Sequence, residues 1–237
     1  MFYRDSGLLQ VRVKIDLKNN FKSISMKKVI LFFIYIGILN ATNAQQDAKI
    51  DVKEPDFFES INFKIGAGVF IPNGNLKDYF GTSPLIEMSF GFPFSFKKSI
   101  DVVFQFGIPT QHKEFQFIRN IDTVSAKTNM MFNAFLKFKK QVFRRANKDL
   151  KLYFGIGVST ITTDARNPFY SGQEGENKYE FISSILIAPG FDYTFQFKNE
   201  DCITFGINYQ YSPYKTEGAL QDNIGSSGFI PRILFSF

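Results

Sequence analysis

Ile230-Pro231-Arg232-Ile233-Leu234-Phe235-Ser236-Phe237 closes the chain. Successive side chains of an extended strand point to opposite sides. Phe229, Ile233, Phe235 and Phe237 therefore share one face, and Arg232 and Ser236 the other. The alternation runs to an aromatic last residue, whereas the usual end of a soluble domain is a polar tail. This segment predicts a terminal strand with one apolar and one polar face.

The same period of two recurs seven more times upstream. It predicts strands over 60–70, 84–94, 99–108, 128–138, 150–160, 179–197, 201–211 and 228–237. In the first, Ile61, Phe63, Ile65, Ala67 and Val69 oppose Asn62, Lys64, Gly66 and Gly68. In the fifth, Leu152, Phe154, Ile156 and Val158 oppose Lys151, Tyr153, Gly155, Gly157 and Ser159. The connections alternate in length. Residues 95–98 and 198–200 are short polar turns, and 139–149 is a basic connection. Residues 71–83, 109–127, 161–178 and 212–227 are long and rich in Gly, Asn, Asp and Pro.

Composition agrees. With 31 Phe, 10 Tyr and no Trp the chain is unusually aromatic, yet its mean hydropathy is only −0.10. That combination suits alternation rather than a bundle of apolar helices. The formal charge of +6 is carried almost wholly by residues 1–44, where seven basic side chains meet two acids. The remaining 21 basic and 20 acidic residues give no support to nucleic-acid binding.

Alternation does not say which face points out, since a soluble lipocalin-like barrel turns its apolar residues inward. Three features favour the inverted arrangement. Phe stands on nearly every apolar face, and inward Phe from eight strands would overfill so small a barrel. The opposite face is rich in glycine, which suits a crowded interior. Its charges also balance: Lys64, Lys137, Lys151 and Arg232 against Glu87, Asp101, Glu180 and Asp192. Charges persist in an interior when they are paired. The prediction is an all-β chain: an eight-stranded, antiparallel, up-and-down transmembrane β-barrel with an apolar outer face and a polar, charge-paired lumen. Strands of about 10 residues are long enough to cross a bilayer when tilted. Phe70, Phe94, Phe96, Tyr193, Phe197, Tyr209, Tyr211 and Phe237 are candidates for interfacial girdles.

Residues 26–44 supply the three parts of a secretory leader: Met26-Lys27-Lys28, the apolar run 29–39, and Ala41-Thr42-Asn43-Ala44 before a cut. Residues 1–25 fit no such pattern and are read as a non-native upstream extension. The acidic stretch 45–59 reads as a periplasmic lead-in, and 60–237 as the barrel.

On these residues the chain resembles the small eight-stranded outer-membrane barrels, similar to OmpX and the OmpA barrel domain. The terminal strand Phe229, Ile233, Phe235 and Phe237 looks like the assembly signal of such proteins. With the Ala44-Gln45 cut and the Phe/Lys/Asn/Ile-rich composition, the chain is most similar to the PorT-like β-barrel family of Bacteroidota. The resemblance implies an outer-membrane location, with lipid, the barrel-assembly machinery and an envelope protein as partners. It implies a non-enzymatic structural, interaction or envelope and secretion-assembly role, without a cofactor. The alternatives are a narrow transport or small-molecule-binding barrel and a soluble periplasmic lipocalin-like protein.

Motifs for chemistry are sparse. His112 is the only histidine, and no GxSxG nucleophile motif accompanies it. Glu87 and Asp101 read as charge-pairing groups before they read as an acid–base pair. Asp164, Asn167, Glu174, Glu176 and Asn177 match no calcium template. Cys202 is the only cysteine, which excludes an internal disulfide. The basic residues Lys139, Lys140, Arg144, Arg145 and Lys148 read as a solvated charge run that could meet acidic partners or lipid headgroups.

Overall fold

The computed structural model describes residues 61–95, 97–119, 122–197, 201–217 and 219–236. The upstream extension, leader and lead-in expected over 1–59 lie outside the described residues. So do Phe96, Phe237 and the turn residues 198–200.

Eight antiparallel strands close into a barrel: β1 (Asn62–Pro72), β2 (Ser83–Ser95), β3 (Lys98–Gly107), β6 (Thr128–Arg145), β7 (Lys148–Arg166), β8 (Tyr179–Gln196), β9 (Cys202–Tyr211) and β10 (Ser227–Ser236). Between β3 and β6 lies a separate hairpin of β4 (Phe115–Ile118) and β5 (Thr123–Ala126). A short helix α1 (Leu76–Phe80) follows β1, and a 3-10 turn (Tyr214–Glu217) follows β9. Each barrel strand pairs with its neighbour in chain order, and β1 pairs with β10 to close the ring. No helix among the described residues is long and apolar enough to cross a membrane.

Burial is inverted relative to a soluble domain. Ile86, Ile156, Ile185 and Ile233 are between 50% and 57% exposed, while Glu87 and Lys137 are fully buried. Phe90, Phe138, Phe154, Phe191, Phe205 and Phe229 join the exposed belt. Lipid offers no partners for backbone N–H and C=O groups, so a closed barrel is one of the two structures that can carry such a belt. The period-two reading of the strands thus gives the right faces. One girdle assignment is corrected by that same period: Phe70 has the opposite parity to Val69, turns inward and is buried.

The structure corrects the connections. Residues 139–145, read as a loop, continue β6, and a two-residue turn at Ala146-Asn147 leads into β7. Charged side chains blur the hydropathy pattern, and a register shift between Gln141 and Phe143 interrupts the alternation, so the strand outlasts its apolar signal. Ala146 sits at φ 47°, a left-handed conformation that disfavours a side chain. Ala146→Gly is expected to raise stability by about 0.5–1 kcal/mol. The check is the urea midpoint of the folded barrel.

The long connections are also more than polar loops. All four gather at one end of the barrel, opposite the short turns. There α1, the β4–β5 hairpin and the segments 212–217 and 219–226 fold over the mouth. Thr128 Oγ1 donates to the Tyr79 carbonyl at 2.7 Å, and the Thr110 N–H to the Phe80 carbonyl at 2.8 Å. The Ile118 N–H reaches the Ala219 carbonyl at 2.8 Å, tying hairpin to loop.

Candidate functional site: the sealed lumen

The lumen is filled in layers. Nearest the short turns, Lys139 Nζ bridges Asp101 Oδ2 at 2.5 Å and Asp192 Oδ2 at 2.7 Å. One step further in, Arg232 spans two carboxylates. Its Nη2 donates to Asp192 Oδ1 at 2.6 Å, and its Nε lies 3.2 Å from Glu87 Oε2. Lys137 Nζ donates to Glu87 Oε1 at 3.0 Å. Tyr153 accepts from Arg232 Nη2 at 2.7 Å, and its ring lies under both the Lys137 ammonium and the Arg232 guanidinium. Asn208 accepts from Arg232 Nη1. Such charge-assisted bonds are the strong ones, and here they join strands on opposite walls.

Two glycines make room for this layer. A Cβ on Gly190 would stand 2.5 Å from the Tyr153 hydroxyl. One on Gly206 would stand 2.6 Å from Asp192 Oδ1 and 2.9 Å from Arg232 Nη2.

Above the charges is a neutral polar layer. Gln105 Nε2 donates to Glu87 Oε2 at 2.7 Å, and Asn133 Nδ2 donates to Gln105 at 2.9 Å and Gln210 at 3.0 Å. Ser159 donates to Asn133 Oδ1 at 2.5 Å and shares a hydrogen with the Tyr214 hydroxyl at 2.6 Å. Burial pushes the Tyr214 phenol up to about 12, so it meets this layer as a neutral group. The last layer is apolar. Phe80 stacks on Tyr214 and meets Phe70 edge to face, with Leu76, Ile161, Ile182, Ile224 and Ile230 fully buried around them. Tyr79 packs edge-on against Phe115 of the hairpin.

Of the eight charges expected in the lumen, Glu87, Asp101, Lys137, Asp192 and Arg232 meet in this network. Lys64 lies within Coulombic reach of Asp101, Asp192 and Lys139. Lys151 stands apart at the short-turn end, paired with Asp149 at 3.2 Å. Glu180 begins β8 at the opposite rim and is half-buried. Lys139 joins the network although it begins the run that reads as a loop; extending the parity of Asn133 and Lys137 by one more pair finds it. The apolar layer has no sequence signal of its own, because its residues are scattered through the connections.

The other candidate residues do not assemble. His112 is exposed on its loop, with Nδ1 2.9 Å from the Thr128 carbonyl. Among the described residues no group of three or more His, Cys, Asp or Glu side chains is placed to hold a metal ion. Glu176 is tied to Ser171 of its own loop, whose N–H and hydroxyl hold the carboxyl below its ordinary value.

An apolar belt outside, paired charges within, and long connections at one end define a small transmembrane β-barrel of the outer-membrane class. Neisserial surface protein A has a similar structure, with a TM-score of 0.52 and 10% identity over 74% of this chain and 95% of its own. A major outer membrane protein from Thermus thermophilus aligns at 8% identity over 75% of this chain and 98% of its own, with a TM-score of 0.45. Ail, the attachment invasion locus protein of Yersinia pestis, aligns at 9% identity over 74% and 95%, with a TM-score of 0.39. At these identities the likeness concerns the fold, and it rests on the first of the three. No family model matches the chain, and no curated protein matches it.

Proposed function

We propose that this protein is a non-enzymatic, non-conducting outer-membrane barrel with a structural or interaction role, delivered by the leader at 26–44. In this reading the long-loop cap faces outward, and the short turns, with the start of β1 and the end of β10, face the periplasm. The finer reading, a PorT-like envelope or secretion-assembly protein of Bacteroidota, is supported by the composition and the Ala44-Gln45 cut. The observation that carries the proposal is the double seal. A salt-bridged layer around Arg232 and an apolar layer around Phe80 block the same lumen in series. A lipocalin-like ligand cavity would need the apolar side chains that here stand on the outside.

The test is conductance of the purified, refolded protein in planar bilayers. Insertion without current steps is the expected result. Reproducible steps of uniform size would overturn the sealed reading and restore a transport barrel.

A further inference from the structure

Behind the sealed layers, at the short-turn end, the barrel has a mouth of a different character. A cavity of about 210 Å³ is lined by Lys64, Arg144, Lys148 and Lys151, with Asp149 as the only carboxylate among the described lining residues. Lys151 is paired with Asp149 Oδ2, so among the described residues three cations lining the cavity are left without a carboxylate in it. The neighbouring layer does not remedy this, since its Asp101 and Asp192 already share Lys139, and Asp192 also holds Arg232. Two acceptors add a second demand. Asn62 Oδ1 and Asp149 Oδ1 are buried at the same mouth without a hydrogen-bond partner. A simple oxyanion would serve the cations but repel these oxygens.

We propose that the short-turn mouth binds an acidic peptide segment. Its carboxylates pair with Lys64, Lys148 and Arg144, and its main-chain N–H groups donate to Asn62 Oδ1 and Asp149 Oδ1. The phosphate dianion carries a single hydroxyl, one donor for two acceptors, and a basic segment is repelled by the four cations. The inference rests on the interaction role proposed above and gives the partner its chemistry. Two sources carry that chemistry: an acidic segment of another envelope protein, and the chain's own Glu54, Asp56 and Glu59. Glu59 stands three residues before Asn62 in the sequence, so the chain itself tethers it to the mouth.

The experiment uses the full chain refolded in detergent, with a fluorescent peptide of alternating Asp and Gly as probe and its Asn–Gly counterpart as control. Anisotropy at low ionic strength should show the Asp–Gly peptide binding, the Asn–Gly peptide not binding, and affinity falling with added salt. Lys64→Gln should weaken binding about tenfold, the scale of one lost charge-assisted bond. Arg144→Gln with Lys148→Gln changes exposed residues flanking the turn, so it keeps the test sharp if Lys64→Gln fails to fold. Tighter binding to a chain carrying Glu54→Gln, Asp56→Asn and Glu59→Gln identifies the chain's own carboxylates as the competing occupant. Unchanged binding assigns the site to another protein. Absence of binding to the native chain, equal binding of the Asn–Gly peptide, or unchanged affinity in folded cation variants overturns the proposal. The bilayer experiment reads the seal and this one the mouth, so each can fail alone.

Discussion

Arg232→Met is expected to lower the free energy of unfolding by about 3–5 kcal/mol, the usual cost of removing one partner from a buried charge network. The arginine is buried and touches Glu87, Asp192, Asn208 and Tyr153. Methionine fills much of the same space, so the loss is electrostatic rather than a cavity. Glu87 keeps Lys137 and Asp192 keeps Lys139, yet each carboxylate is left one cation short inside a packed lumen. The chain has no Trp, so unfolding in urea is best followed by the gel-mobility difference between folded and heated barrel. Pairing the change with Glu87→Met should cost less than the sum of the two single changes, by about 0.5–3 kcal/mol. A loss below about 1 kcal/mol for Arg232→Met alone, the range of solvated ion pairs, would show that water reaches the lumen.

That network also shows what a sequence discloses about a barrel and what it does not. Parity is local: whether a residue points in or out follows from its distance to the next apolar position. The pattern alone therefore places Lys137, Asp192 and Arg232 on the inner face. Depth is not local. Lys151 and Glu180 have the inner parity too, but they sit near opposite ends of the wall, where an inward residue reaches a mouth instead of the packed centre. Lys139 makes the converse point, since it lies one pleat beyond Lys137 where the apolar signal fades, yet it joins two carboxylates.

The cap is illegible for a further reason. Leu76, Phe80, Phe115, Phe117, Leu220 and Ile224 come from three separate connections and form one cluster only once the strands bring those connections to the same end. No window of sequence contains enough of them to show a period. The short alternation of Phe115 and Phe117 is a true strand signal, but at four residues it is no longer than chance allows in so aromatic a chain.

Gly66→Val is expected to abolish the closed barrel. Gly66 lies on β1 opposite Leu234 of β10 and Glu87 of β2. A Cβ there would fall 1.9 Å from the Ile233 carbonyl oxygen and 2.7 Å from the Leu234 Cα. Both are backbone atoms, so no rotamer change relieves the clash, and the β1–β10 ladder must part. This ladder is the seam of the barrel, joining strands from opposite ends of the described chain. Its pairing is already interrupted between Gly68–Arg232 and Ile71–Phe229, where Pro231 offers no N–H. An open seam leaves two rows of N–H and C=O groups facing lipid, each unsatisfied group costing several kcal/mol. The expected result is a protein whose gel mobility no longer changes on heating. Gly74→Ala supplies the comparison. Gly74 has φ +58° on the β1–α1 connection with open space around it, so alanine there should cost only about 1 kcal/mol of backbone strain and leave the heat shift intact. A Gly66→Val protein with the full heat shift would mean that β1 and β10 do not close the ring in this register.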